Sequence, residues 1–194
     1  MVIREILYPT DFSEPARYAG HYATMIARKL DAILHILHVP YVPFPPSPEE
    51  RTGLSCEEIW RAAQVEALAG LHQLLEEGEY RGLNARATVA TGFIQDETLK
   101  AAQTSDLIVM GTHGRTGLPH IMLGSVREKV IGVAPCAVLA VKYPPLKRVV
   151  PWTGEAQGRA RVQPSPRLLN ILIPLDGSTL SECVLRDTKA LTAR

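Results

Sequence analysis

Apolar positions recur along this chain with two alternating periods. Residues 2–8 are rich in β-branched and aliphatic side chains and stop at Pro9, which predicts a strand. Ala16, Ala19, Ala23, Ile26, Ala27 and Leu30 follow at helical spacing. Ser13 stands ahead of them as an N-cap and Pro15 falls in the first turn, so a helix is predicted over 14–30. The alternation continues: strand 32–39, helix from Glu57 to about Tyr80, strand 85–91, helix 94–104, strand 106–110, helix 125–133 and strand 136–141. Leu107-Ile108-Val109-Met110 is apolar without a break, the pattern of a strand covered on both faces. Strict β-α alternation predicts an α/β fold: a doubly wound, open, five-stranded parallel sheet with right-handed crossovers and helices on both faces, over residues 1–142.

Prolines punctuate this order. Pro40, Pro43, Pro45, Pro46 and Pro48 predict a long irregular loop before the second helix. Residues 143–167, with Pro144, Pro145, Pro151, Pro164 and Pro166, read as a linker or wrapping arm. The segment 168–194 then repeats the start of the chain. Ile171-Leu172-Ile173-Pro174-Leu175-Asp176-Gly177-Ser178 aligns with Ile6-Leu7-Tyr8-Pro9-Thr10-Asp11-Phe12-Ser13, and a helix over about 180–191 follows. This predicts an extra C-terminal βα unit, the opening of a partial second repeat, with no second glycine loop and hence one ligand site per chain.

Composition narrows the function classes. Among 194 residues, 21 Lys+Arg stand against 20 Asp+Glu, a net charge of +1, which gives no electrostatic case for nucleic-acid binding. No apolar run approaches the roughly 20 residues that cross a bilayer and no signal-peptide pattern opens the chain, so a cytoplasmic protein is expected. The cysteines Cys56, Cys136 and Cys183 are odd in number and have no CxxC spacing, which points away from disulfides or zinc and toward small apolar roles. His21 and His72 fall on helices at unpaired positions. His35 and His38 lie three apart in one strand and so point to opposite faces, unable to share a metal.

Two features carry candidate chemistry. The run Gly111-Thr112-His113-Gly114-Arg115-Thr116-Gly117 to Gly124-Ser125 leads from a buried strand into a helix N-terminus. Glycines permit close backbone approach, and helix-terminal N–H groups favour an anion, so the loop suits a phosphate. It is neither a Walker loop nor the G-x-G-x-x-G fingerprint, and a tight strand–helix connection accounts for it equally well. Asp11 follows the first strand. Were strands one and four neighbours, it would face the glycine loop across one crevice, where a carboxylate can take ribose hydroxyls; helix capping is its competing role.

The spacing Gly111-x-x-Gly114-(nine residues)-Gly124-Ser125, with Tyr8-Pro9-Thr10-Asp11-Phe12-Ser13, closely resembles the universal stress protein family, specifically its ATP-binding branch. The resemblance implies sheet order 3-2-1-4-5 and ATP, ADP or AMP at the switch point. Pro9, Thr10 and Asp11 would line the adenosine, and the Val39 backbone would meet adenine. Met110 and Gly111 would flank the sugar and first phosphate. Gly114, Gly124, Ser125 and Val126 would carry the phosphates, with His113 and Arg115 within reach of the tail. It also implies Mg2+ or Mn2+ held by the phosphates, and a homodimer through the Cys136–Val141 edge strand, to which the C-terminal tail could contribute. The expected role is a nucleotide-dependent stress-response module acting on an unknown protein partner. A slow ATP hydrolase or phosphotransferase, and an interaction protein with a non-functional pocket, are the alternatives.

Overall fold

The computed structural model describes residues 2–41, 55–112 and 125–143. Five strands and four helices alternate: β1 (Glu5–Pro9), α1 (Glu14–Leu30), β2 (Ile33–His38), α2 (Cys56–Glu76), β3 (Ala85–Val89), α3 (Ile94–Ala102), β4 (Leu107–Gly111), α4 (Ser125–Val133) and β5 (Ala137–Val141). All pairs are parallel and the sheet order is β3-β2-β1-β4-β5. The proline-rich stretch from residue 42, most of the glycine loop, the linker and the partial repeat lie outside the described residues.

Alternation along each strand divides the core into two layers. Ile6 and Tyr8 of β1, Leu34 and Ile36 of β2, and Leu107 and Val109 of β4 pack with Ala19, Ala23, Ile26 of α1 and Leu71, Leu74 of α2. Leu7, Leu37, Ile108 and Met110 face the other way, against Ala102 of α3 and Val130 of α4. The uninterrupted apolar character of β4 reflects this double cover.

Local signals set the helix ends. Ser13 caps α1 by accepting from the Ala16 amide at 3.3 Å. Ser55 and Glu58 form a reciprocal capping box at the start of α2. The second helix ends at Glu76, before the predicted Tyr80. The chain instead turns, Gly82 takes φ of 74°, and Tyr80 swings into the core with its hydroxyl beside that of Tyr8. Gly20 is the reason both rings fit: a methyl there would lie 2.7 Å from the Tyr80 hydroxyl and 2.9 Å from that of Tyr8.

Two expectations are corrected, the first by this turn. His21 is paired: its Nδ1 meets the Glu79 carboxylate, while Arg17 bridges to Glu77 at 2.5 Å and Arg28 donates to the Glu79 carbonyl. Docking of the turn on α1 creates these contacts, which no local sequence pattern announces. Cys56 is exposed rather than packed, because it opens α2 on the solvent side, whereas Cys136 is half-buried as expected. His35 and His38 do point to opposite faces.

Candidate functional site

The carboxyl ends of β1 and β4 lie side by side, because the chain reverses its direction of strand addition between them. The ladder joining these strands runs through Ile6↔Leu107 and Leu7↔Ile108 and stops there, two residues before Pro9 ends β1. Pro9 has no N–H to extend it. The β1–β2 ladder, by contrast, continues to Pro9↔Leu37, and the Thr10 amide then donates to the Leu37 carbonyl at 2.9 Å. Pairing thus continues further along β1 toward β2 than toward β4. In a doubly wound sheet the switch point, here between β1 and β4, is where ligands lodge.

The described members of the predicted site fall at the ends of β1, β2 and β4 and at the start of α4. Pro9 is half-buried, Thr10 buried and Asp11 half-buried at the end of β1. Val39 is buried just past β2. Met110 is buried and Gly111 half-buried at the end of β4. Val126 sits half-buried in the first turn of α4, packed on the layer that contains Met110. Ser125 opens that helix. His113, Gly114, Arg115 and Gly124 lie outside the described residues. Gly111 has a structural reason as well: a methyl built on it would stand 2.9 Å from the Pro15 carbonyl oxygen.

The turn after β1 is heavily hydrogen-bonded. Thr10 Oγ1 accepts from the Tyr8 hydroxyl at 3.2 Å and from the Phe12 amide at 3.1 Å. Asp11 Oδ1 accepts from the Ser13 amide at 3.0 Å and the Ser13 hydroxyl at 2.5 Å. Ser13 caps α1 and Asp11 holds Ser13, so the capping role considered for Asp11 is realised one residue removed. A carboxylate offers about four acceptor positions, of which Ser13 engages two. Phe12 adopts φ of 63°. That left-handed backbone costs a non-glycine residue roughly 1–2 kcal/mol, so contacts outside the turn must hold it.

Those contacts come from residues that sequence reasoning did not place at the site. The Phe12 ring stacks on His38 at 4.4 Å between centroids and 28° between planes. It also covers Gly70 of α2, where an added methyl would lie 3.0 Å from the ring. His38 is buried, and its Nδ1 stands 2.7 Å from the Thr10 carbonyl oxygen. The aromatic between Asp11 and Ser13, and the histidine closing the neighbouring strand, were the available signals.

Comparison with known proteins accords with this fold. A family model, the universal stress protein family, matches residues 3–142. The chain belongs to that family. A universal stress protein of Methanocaldococcus jannaschii is 37% identical over 144 residues, covering 73% of this chain and 83% of its own length. A second from the same organism is 29% identical over 157 residues, covering 73% and 96%. The solved structure of that second protein superposes with a TM-score of 0.63 at 32% identity, covering 75% of this chain and 99% of its own. A universal stress protein solved in complex with cAMP shares the fold, with a TM-score of 0.54 at 23% identity over 73% of this chain and 98% of its own. Among the described residues no helix is long and apolar enough to cross a membrane, and no group of three His, Cys, Asp or Glu side chains could hold a metal.

Proposed function

We propose that this universal stress protein binds an adenine nucleotide, ATP foremost, at the switch point between β1 and β4, and acts as a nucleotide-dependent regulatory module. One observation supports the reading: the β1–β4 ladder ends two residues before β1 does, and a half-buried carboxylate, Asp11, follows just beyond the end of β1. Asp11 takes the ribose hydroxyls. Pro9, Thr10 and the Val39 backbone line the adenosine. Met110 and Gly111 flank the sugar and first phosphate, and Gly114, Gly124, Ser125 and Val126 carry the phosphates, with His113 and Arg115 at the tail. The α4 N-terminus adds a helix dipole that favours negative charge. That a protein of this fold is solved with cAMP supports the architecture as a holder of such ligands.

The described residues supply no ligand cluster for a metal, so Mg2+ or Mn2+ enters on the phosphate oxygens. Residues 111–125 contain no carboxylate to act as a base near a terminal phosphate, which favours holding over turnover. The edge position of β5 supports a homodimer through that strand.

Calorimetry with ATP, on the wild type and on Gly114→Val combined with Gly124→Val, tests the reading. Binding by the wild type and its loss in the double variant is the expected result. Undiminished affinity in the double variant overturns it. A time course of phosphate release then separates holding from hydrolysis.

A further inference from the structure

His38 joins three strand ends. Its own strand, β2, stops with it; its carbonyl accepts from the Ala90 amide just past β3, and its ring reaches back to Thr10 just past β1. The Thr10 carbonyl can only accept, so at 2.7 Å the His38 Nδ1 carries the proton and donates. Phe12 stacks on the same ring. Asp11 is therefore bracketed: the residue before it is fixed through its carbonyl, and the residue after it is fixed, in a left-handed conformation, through its side chain. Ser13 fixes one carboxylate oxygen from within the turn. Thr10 is also tied to Leu37 and Tyr8, and Phe12 also covers Gly70, but His38 is the side chain that contacts the residues on both sides of Asp11.

We infer that His38 is a positioning residue for ribose recognition: by donating Nδ1–H to the Thr10 carbonyl, with Phe12 stacked on its ring, it aims the Asp11 carboxylate at the sugar hydroxyls. The inference rests on the nucleotide reading above and adds a residue to it. A hydroxyl–carboxylate hydrogen bond is sensitive to aim, so a turn that pivots loses the sugar contact while the base and phosphate contacts, made by other segments, persist.

The test compares affinities for ATP and 2′,3′-dideoxy-ATP by calorimetry in full-length wild type, His38→Phe and His38→Asn, each shown folded by thermal melting. Phenylalanine keeps a ring for Phe12 and removes the donor. Asparagine places an amide N–H where Nδ1 stood and removes the ring. The wild type is expected to prefer ATP over the dideoxy analogue by about tenfold or more, the range of a charge-assisted hydrogen bond. His38→Phe brings that ratio to within about threefold of unity with dideoxy-ATP affinity little changed, and His38→Asn restores most of it. A ratio retained in His38→Phe, a parallel loss of both nucleotides, or no recovery in His38→Asn overturns the role of His38. A wild type that binds both analogues equally overturns the Asp11–ribose contact and this inference with it. A wild type that binds neither overturns the nucleotide reading itself.

Discussion

Gly111 and Pro15 meet backbone to backbone, so the end of β4 presses directly on the first turn of α1. A side chain at Gly111 would place its Cβ 2.9 Å from the Pro15 carbonyl oxygen and 3.2 Å from its carbon. Neither partner is a flexible side-chain tip. Gly111→Ala is therefore expected to destabilise the fold by about 1–3 kcal/mol, the usual penalty for overpacking. Chemical denaturation should show a lower midpoint with an unchanged slope, and an unaltered midpoint would contradict the contact.

Ser13 serves two partners, capping α1 through Ala16 and holding Asp11. Loss of an N-cap side chain costs about 1 kcal/mol. Ser13→Ala should lose at least that much in denaturant melts, whereas Ser13→Asp, which keeps a capping acceptor but sets a second carboxylate beside Asp11, should not recover the wild-type midpoint.

Two histidines pull stability in opposite directions with pH. The hydrogen bond to Glu79 raises His21 above its ordinary 6.5, against a smaller opposing effect of burial. Its pairing thus contributes fully below 6.5 and is lost as pH rises through the folded value. Burial, aided by Arg86, lowers His35 below 6.5. Arg86 Nη2 lies 3.3 Å from its Nδ1, and its Nε2 reaches Thr88 at 3.1 Å, an arrangement for the neutral ring. That contribution is complete above 6.5 and is lost as pH falls through the folded value. Stability measured against pH should lose its decline above 6.5 in His21→Gln and its decline below 6.5 in His35→Gln. The His21 effect is expected at about 0.5–1 kcal/mol, since the pair is only partly shielded. Superimposable profiles for all three proteins would refute both assignments.

The cysteines should differ sharply toward an alkylating reagent. Burial, with the Asp106 carboxylate adding to it, pushes the half-buried Cys136 thiol up to about 11. The thiolate is the reactive species, so Cys136 should resist iodoacetamide near neutral pH until denaturant is added, while exposed Cys56 reacts in the native state. Peptide mass mapping after timed labelling reads this directly; equal rates at the two positions would place Cys136 at the surface.

What the sequence revealed follows from where its signals are local. α1 and α4 begin and end where capping residues and apolar spacing predict them. Each strand was legible, with ends shifted by no more than three residues, because most of the apolar runs stop at proline or glycine. Asp11 and Gly111 were legible as candidates because each follows a strand that points into the same switch point. The end of α2 was not, because no proline marks a stop at Glu76, and the burial of Tyr80 beside Tyr8 depends on tertiary packing. His38 was marked only by its place at the end of β2: its importance depends on Thr10 being its neighbour on the adjacent strand, a relation created by the sheet. The pairing of His21 with Glu79 is hidden for the same reason.

β1 lies in the middle of the sheet, flanked by β2 on one side and β4 on the other. Its edge toward β4 stays without that partner until three helices and two further strands have been translated, since β4 follows α3 in the described order. The switch point between them therefore has no existence in any fragment that stops before β4. On the proposed reading, a nascent chain that lacks β4 and α4 lacks one side of the switch point and the residues assigned to the phosphates, so nucleotide binding reports that synthesis has passed residue 126.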